Sequence, residues 1–201
     1  MYICSMKYAI PFLLTLALCL GCQSAWTPKE REIINTSDSL MYVTTIEADS
    51  AVLRTPSVDI GPKELESPEL AALIAKMRYT VTDPSQDGVG IAAPQVGINR
   101  RIIVVQRFDK ADEPFEAYVN VRVDSLAGEL VAGREGCLSV PGLWGIVRRH
   151  NKICISYLDL DSRERVQEDI EGFTAVIFQH ECDHLDGILY TDKADSIYVS
   201  Q

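Results

Sequence analysis

Apolar residues along this chain change period twice, and each change predicts a different element. Ser67-Pro68-Glu69 supplies an N-cap, a proline at the first helical position and a first-turn acid; Leu70, Leu73, Ile74 and Met77 then form one stripe. Those signals predict a helix of about three turns. From Arg101 to Glu171 the pattern shortens into strand-like runs: Ile102 to Val105, Ala117 to Val123, Glu129 to Ala132, Ile153 to Leu160 and Arg165 to Ile170. A helical period returns with Phe173, Val176, Ile177, His180 and His184, at i, i+3, i+4, i+7 and i+11, and Gly187 ends it. Helix, then strands, then helix is the order of an α+β domain rather than an alternating α/β one.

The amino-terminal part reads differently. Lys7 precedes the apolar run Tyr8 to Leu20, which closes at Gly21-Cys22. A basic start, a short apolar stretch and a small residue before cysteine resemble a lipoprotein signal peptide, and 13 residues are too few for an ordinary spanning helix of ~20. Residues 1–21 are therefore expected to be cleaved and Cys22 to carry lipid, although Cys19 and Leu20 are not the usual residues before the small one. Met6-Lys7 fits an initiation site better than Met1 does. Residues 22–50, polar and weakly patterned, read as a tether, residues 51–195 as the catalytic domain and 196–201 as a tail.

Composition adds two constraints. With 47% apolar and 24% charged residues in 201, there is material for one core. The net charge of −10, which becomes −11 when the signal takes Lys7 with it, disfavours nucleic-acid binding and offers no polybasic help to a membrane contact. Membrane attachment would rest on the lipid, placing the protein in the cell envelope. Cys154 and Cys182 remain as free thiols or a possible pair.

The chemistry is concentrated in His180-Glu181-Cys182-Asp183-His184. Imidazoles four residues apart project from one helix face and can share a metal ion, with Glu181 beside them to handle a proton. An open catalytic site needs a third protein ligand. An extended three-histidine motif fails, because Tyr190 stands where its last histidine belongs; His150 lies in the polar run Arg148-Arg149-His150-Asn151, which reads as an exposed turn. Cys137, in Glu135-Gly136-Cys137-Leu138-Ser139, is the better candidate.

Three blocks now stand in order: Gly88-Val89-Gly90-Ile91-Ala92-Ala93-Pro94-Gln95, then Glu135 to Ser139, then Gln179-His180-Glu181-Cys182-Asp183-His184-Leu185-Asp186-Gly187. Together they resemble the peptide deformylase family over roughly residues 50 to 195, with Cys182 at a position that is usually larger and aliphatic. The resemblance implies antiparallel β-sheets packed around a C-terminal metal-binding helix, and hydrolysis of the N-formyl group from formyl-methionyl peptides with release of formate. It implies Cys137, His180 and His184 as ligands of one divalent ion, Fe²⁺ or Zn²⁺, with Ni²⁺ or Co²⁺ also suited to such a set. Glu181 would act as general base and then acid, while Gln95 and the Leu138 backbone N–H would stabilise the oxyanion. Val89, Gly90, Val176 and Ile177 would contact the peptide, whose extended backbone would add beside Val89, with Gly88 and Gly90 clearing the way.

Two other readings compete. An HExxH metallopeptidase would use the pentad alone, and a noncatalytic formyl-peptide-binding lipoprotein would keep the pocket without the reaction. Tyr190 counts against the first; the intact set of catalytic residues counts against the second.

Overall fold

The computed structural model describes residues 26–200 apart from Ser37 and Asp87. The expected signal peptide and the lipidation site Cys22 lie outside these residues. In chain order come α1 (Pro28–Ile34), α2 (Ile46–Leu53), α3 (Pro62–Leu65) and α4 (Pro68–Thr82), then β1 (Gly90–Ala92), β2 (Ile102–Gln106), β3 (Phe115–Gly136), β4 (Leu143–Leu158) and β5 (Arg165–Glu171). Helix α5 (Gly172–Leu185), which carries His180 to His184, and β6 (Ser196–Val199) follow. All six strands join one antiparallel sheet in the order β1-β2-β3-β4-β5, with β6 on β4. The several sheets expected are one, because β3 pairs β2 through Phe115 to Val119 and β4 along most of the remainder.

Strand β2 shows why the order is stable. Its run Ile102-Ile103-Val104-Val105 is buried on both faces, as a strand covered by helices on each side must be. Ile102 and Val104 pack with Leu73 and Met77 of α4, while Ile103 and Val105 pack with Ala175, Phe178 and Leu185 of α5. Alternation along one strand therefore fixes two helices on opposite faces.

Several expectations are corrected. The runs 117–123 and 129–132 are one strand, continued through register irregularities and Gly128 at φ +68°. Arg148 to Asn151 is not a turn: it lies within β4, and Arg149 is buried. Polar side chains there pair inside the protein instead of meeting water. Helix α4 spans 15 residues, a turn longer than its apolar stripe, and Ser67 accepts from Trp26 Nε1 rather than capping it. Phe173 is exposed, so the apolar stripe of α5 begins outside the core. The C-terminal tail is partly a strand, pairing Ser196 to Val199 with Ile146 to Leu143. Cys154 and Cys182 are unpaired thiols, the second buried.

The largest correction concerns the tether, because the chain is packed from Trp26 onward. Thr27 and Glu30 form a capping box around α1, with Pro28 at its start. Helices of seven and eight residues are too short for a periodic signal, and they are held by tertiary contacts. Trp26 is buried under the Arg100 guanidinium, 5.2 Å from its ring, and Arg100 in turn pairs with Glu30 at 2.6 Å and Glu64 at 3.1 Å. Residues 26 to 50 thus belong to the domain that the sequence pattern began at 51.

This packing generates a prediction. Trp26→Ala should lower unfolding stability by about 3–5 kcal/mol, the cost of emptying a buried aromatic site, in urea melts at constant slope. A loss under ~1 kcal/mol would return the segment to tether status.

Candidate metal centre

Two elements meet around one point. Cys137 sits in the turn that follows β3, held by the Val140 N–H to Cys137 carbonyl bond of 3.0 Å and by Ile46 N–H donating to Ser139 at 2.9 Å. His180 and His184 come from α5, and among the described residues these three form the one group of ligand atoms suited to an ion, all within 4.8 Å of one another. That separation suits bonds of about 2.0–2.3 Å to a common divalent ion. Cys137 Sγ and His184 Nε2 are 3.2 Å apart.

Protonation favours the same arrangement. His180 Nδ1 lies 2.8 Å from Glu135 Oε2. An ionised carboxylate only accepts, so the proton sits on Nδ1 and the Nε2 lone pair is left for a metal. Burial raises the Cys137 thiol, yet the neighbouring His184 and His180 outweigh it and hold the thiol well below its usual range. A thiolate is the form that ligates.

Glu135 is buried, and burial alone would raise its carboxyl; the hydrogen bonds from His180 and Arg149 pull it down to about 2. Arg149 donates Nε to one Glu135 oxygen at 2.8 Å and Nη2 to the other at 3.0 Å, and also pairs with Asp183 of α5. Sequence reasoning missed both Glu135 and Arg149. Glu135 stood inside the second block without an assigned task, and the available signal for Arg149 was a basic residue at an inward-facing position of a strand.

Helix α5 is docked by a further device. Between the stretches of β4 that pair β6 and β5, the backbone of His150 meets the Gln179 side chain, which accepts from its N–H at 3.2 Å and donates to its carbonyl at 2.7 Å. Gly187, at φ +74°, lies so close to Arg54 that a Cβ would fall 2.6 Å from its carbonyl oxygen. A side chain at Gly187 would force that contact apart.

Beside the ligands lies a cleft of about 560 Å³, lined by Val89, Gly90, Gln95, Leu138, Val176 and Ile177 among others. All of the expected peptide-contacting positions are thus brought together. A Cβ at Gly90 would fall 2.5 Å from Glu181 Oε1, so its glycine leaves room for that carboxylate at the cleft wall. Glu181 is buried, with Oε2 lacking a partner among the described residues, and burial pushes its carboxyl up to about 7. Gln95 is also buried; its Oε1 accepts from Ala92 N–H at 2.8 Å, which turns Nε2 toward Cys137 Sγ at 3.5 Å. Tyr190 stacks near His180 with ring centroids 6.2 Å apart and supplies no ligand. A larger depression of about 680 Å³ on the other side of α5 contains Arg101, Arg122, Arg149 and Lys193, each ion-paired with a carboxylate.

Comparison with known proteins agrees with this geometry. The family model described as polypeptide deformylase matches residues 43–199. A peptide deformylase of Desulforudis audaxviator is 37% identical over 149 residues, 73% of this chain and 94% of that protein. A class I type b peptide deformylase of Acinetobacter baumannii superposes with TM-score 0.69 at 36% identity, covering 77% of this chain and 99% of that one; a further structure of that kind holds Met-Ala-Ser. Peptide deformylase of Thermotoga maritima gives 0.65 at 31% identity, over 78% of this chain and 99% of its own. With its Cys-His-His centre and these likenesses, the chain belongs to the polypeptide deformylase family and is a metallohydrolase of formylated peptides.

Proposed function

We propose that this metallohydrolase removes formyl groups from formyl-methionyl peptides with Cys137, His180 and His184 as ligands and Glu181 as the proton carrier. The observation that carries the assignment is the buried Glu181 carboxylate, free at Oε2 among the described residues, next to His180 in the chain and within the electrostatic influence of His184. A divalent ion held by the three ligands supplies Lewis acidity toward water and a formyl oxygen. Fe²⁺ or Zn²⁺ suits the set, and Ni²⁺ or Co²⁺ would also be accepted.

The protein's own groups do the rest. A carboxyl near neutrality takes a proton from the attacking water and returns it to the departing amine, so one residue serves as base and then acid. Gln95 is aimed by Ala92, and its N–H would meet the oxygen that gains charge, with the Leu138 backbone N–H as second donor. Ile177, half-buried Val176 and half-buried Val89 offer an apolar wall for a methionine side chain. A peptide backbone would extend beside Val89, whose carbonyl is already engaged by Gln106 N–H at 2.8 Å.

We further propose that Cys22 becomes a lipidated amino terminus and that the enzyme works in the cell envelope. The order of Lys7, the apolar run and Gly21-Cys22 supports this reading. Among the described residues no helix is long and apolar enough to cross a membrane, so attachment would rest on the lipid.

Two measurements test these assignments. Metal-loaded protein should release formate from a short formyl-methionyl peptide, lose that activity with chelation, and in Glu181→Gln keep its metal while slowing about 10²- to 10⁴-fold. Near-normal turnover in that variant removes Glu181 from the reaction. Mass spectrometry of native protein should find Cys22 acylated at the amino terminus; an unprocessed chain starting at Met1 or Met6 in the soluble fraction would refute the anchor.

A further inference from the structure

The end of β3 presents two different faces. Glu135 points inward to His180, so Arg134 and Gly136 share the opposite face. Gly136 is paired with Trp144 of β4, and Trp144 with Tyr198 of β6, which sets a row across three strands. The Arg134 guanidinium lies 4.1 Å from the Trp144 ring centroid, and Trp144 stacks on Tyr198 at 4.4 Å with 21° between planes. A cation resting on an aromatic platform thus forms part of the cleft wall.

Arg134 differs from the arginines that hold the fold together. Eight of those are ion-paired with carboxylates. Arg134 is exposed, has no carboxylate partner among the described residues, and is the single arginine or lysine lining the cleft. In a chain of net charge −10 this sets an exposed cation in the wall of a cleft whose own carboxylates, Glu135 and Glu181, are buried. Its stacking on Trp144 also limits the side-chain freedom that a bound anion would otherwise have to freeze out.

Reach decides which anion. Arg134 precedes the ligand Cys137 by three residues, about 10 Å of extended chain, and an extended peptide covers the same distance in three residues. We infer that Arg134 is a specificity-determining residue that recognises a carboxylate at the third position of a formyl peptide, either the free terminus of a tripeptide or an acidic side chain. The inference rests on the deformylase reading and narrows its substrate to short or acidic formyl peptides.

The test uses the metal-loaded full chain and three substrates: formyl-Met-Ala-Ser with a free carboxylate, its C-terminal amide, and formyl-Met-Ala-Asp amide. The free acid should have a KM roughly three- to tenfold below that of the Ser amide, the range expected for a partly exposed charge-assisted contact, with kcat unchanged. Arg134→Gln should abolish that difference by raising KM for the acid, and Arg134→Lys should restore part of it. If the Asp amide shares the advantage, any carboxylate there is read; if it does not, the terminus is. Equal KM for all three peptides, or a preference that survives Arg134→Gln, overturns the inference while leaving deformylation intact. Absence of formate from every peptide overturns the deformylase reading, and this inference with it.

Discussion

Glu135 is the last inward-facing residue of β3, and its carboxylate holds two partners that belong to different elements. Toward α5 it fixes the ring of His180; toward β4 it receives a two-pronged contact from Arg149, which also grips Asp183 one turn along the helix. Burying such charges is costly unless every one is matched, and removing one member leaves the other uncompensated, at about 3–5 kcal/mol. The metal centre therefore depends on a closed ion-pair network as much as on its three ligands. Cys137, two residues beyond Glu135, is positioned by the same strand end.

Sheet and helix are brought to that network by packing with little freedom. Two-sided burial of β2 places α4 and α5 on opposite faces, while Gln179 satisfies the His150 backbone on the edge of β4 left open between β6 and β5. Gly90 and Gly187 allow contacts closer than any side chain permits, one to Glu181 and one to Arg54. The Glu181 carboxylate held this way is buried, which is what raises its affinity for a proton.

The legible parts of the sequence were those with long periods or dense chemistry. The stripe Leu70 to Met77, the run Ile102 to Val105 and the spacing of His180 and His184 each survive in the structure because burial enforces them. Trp26 to Ser50 was misread since two short helices carry too few apolar positions to show a period; α1 is held by Arg100 and α4, and α2 by hydrogen bonds with Ser139 and Asn99. Arg149 was misread because a basic residue in a run of polar ones normally means solvent; its partners lie 14 and 34 residues away. Pairings at that separation leave no local trace.

Metal affinity of Glu135→Gln, measured by competition with a chromogenic chelator alongside its melting temperature, tests the central dependence most directly. If the carboxylate orients His180 and neutralises Arg149, the folded variant should bind its metal about 10- to 100-fold more weakly with Cys137, His180 and His184 all present. Unchanged affinity in a folded Glu135→Gln protein would show that the three ligands suffice and that the network serves only the fold.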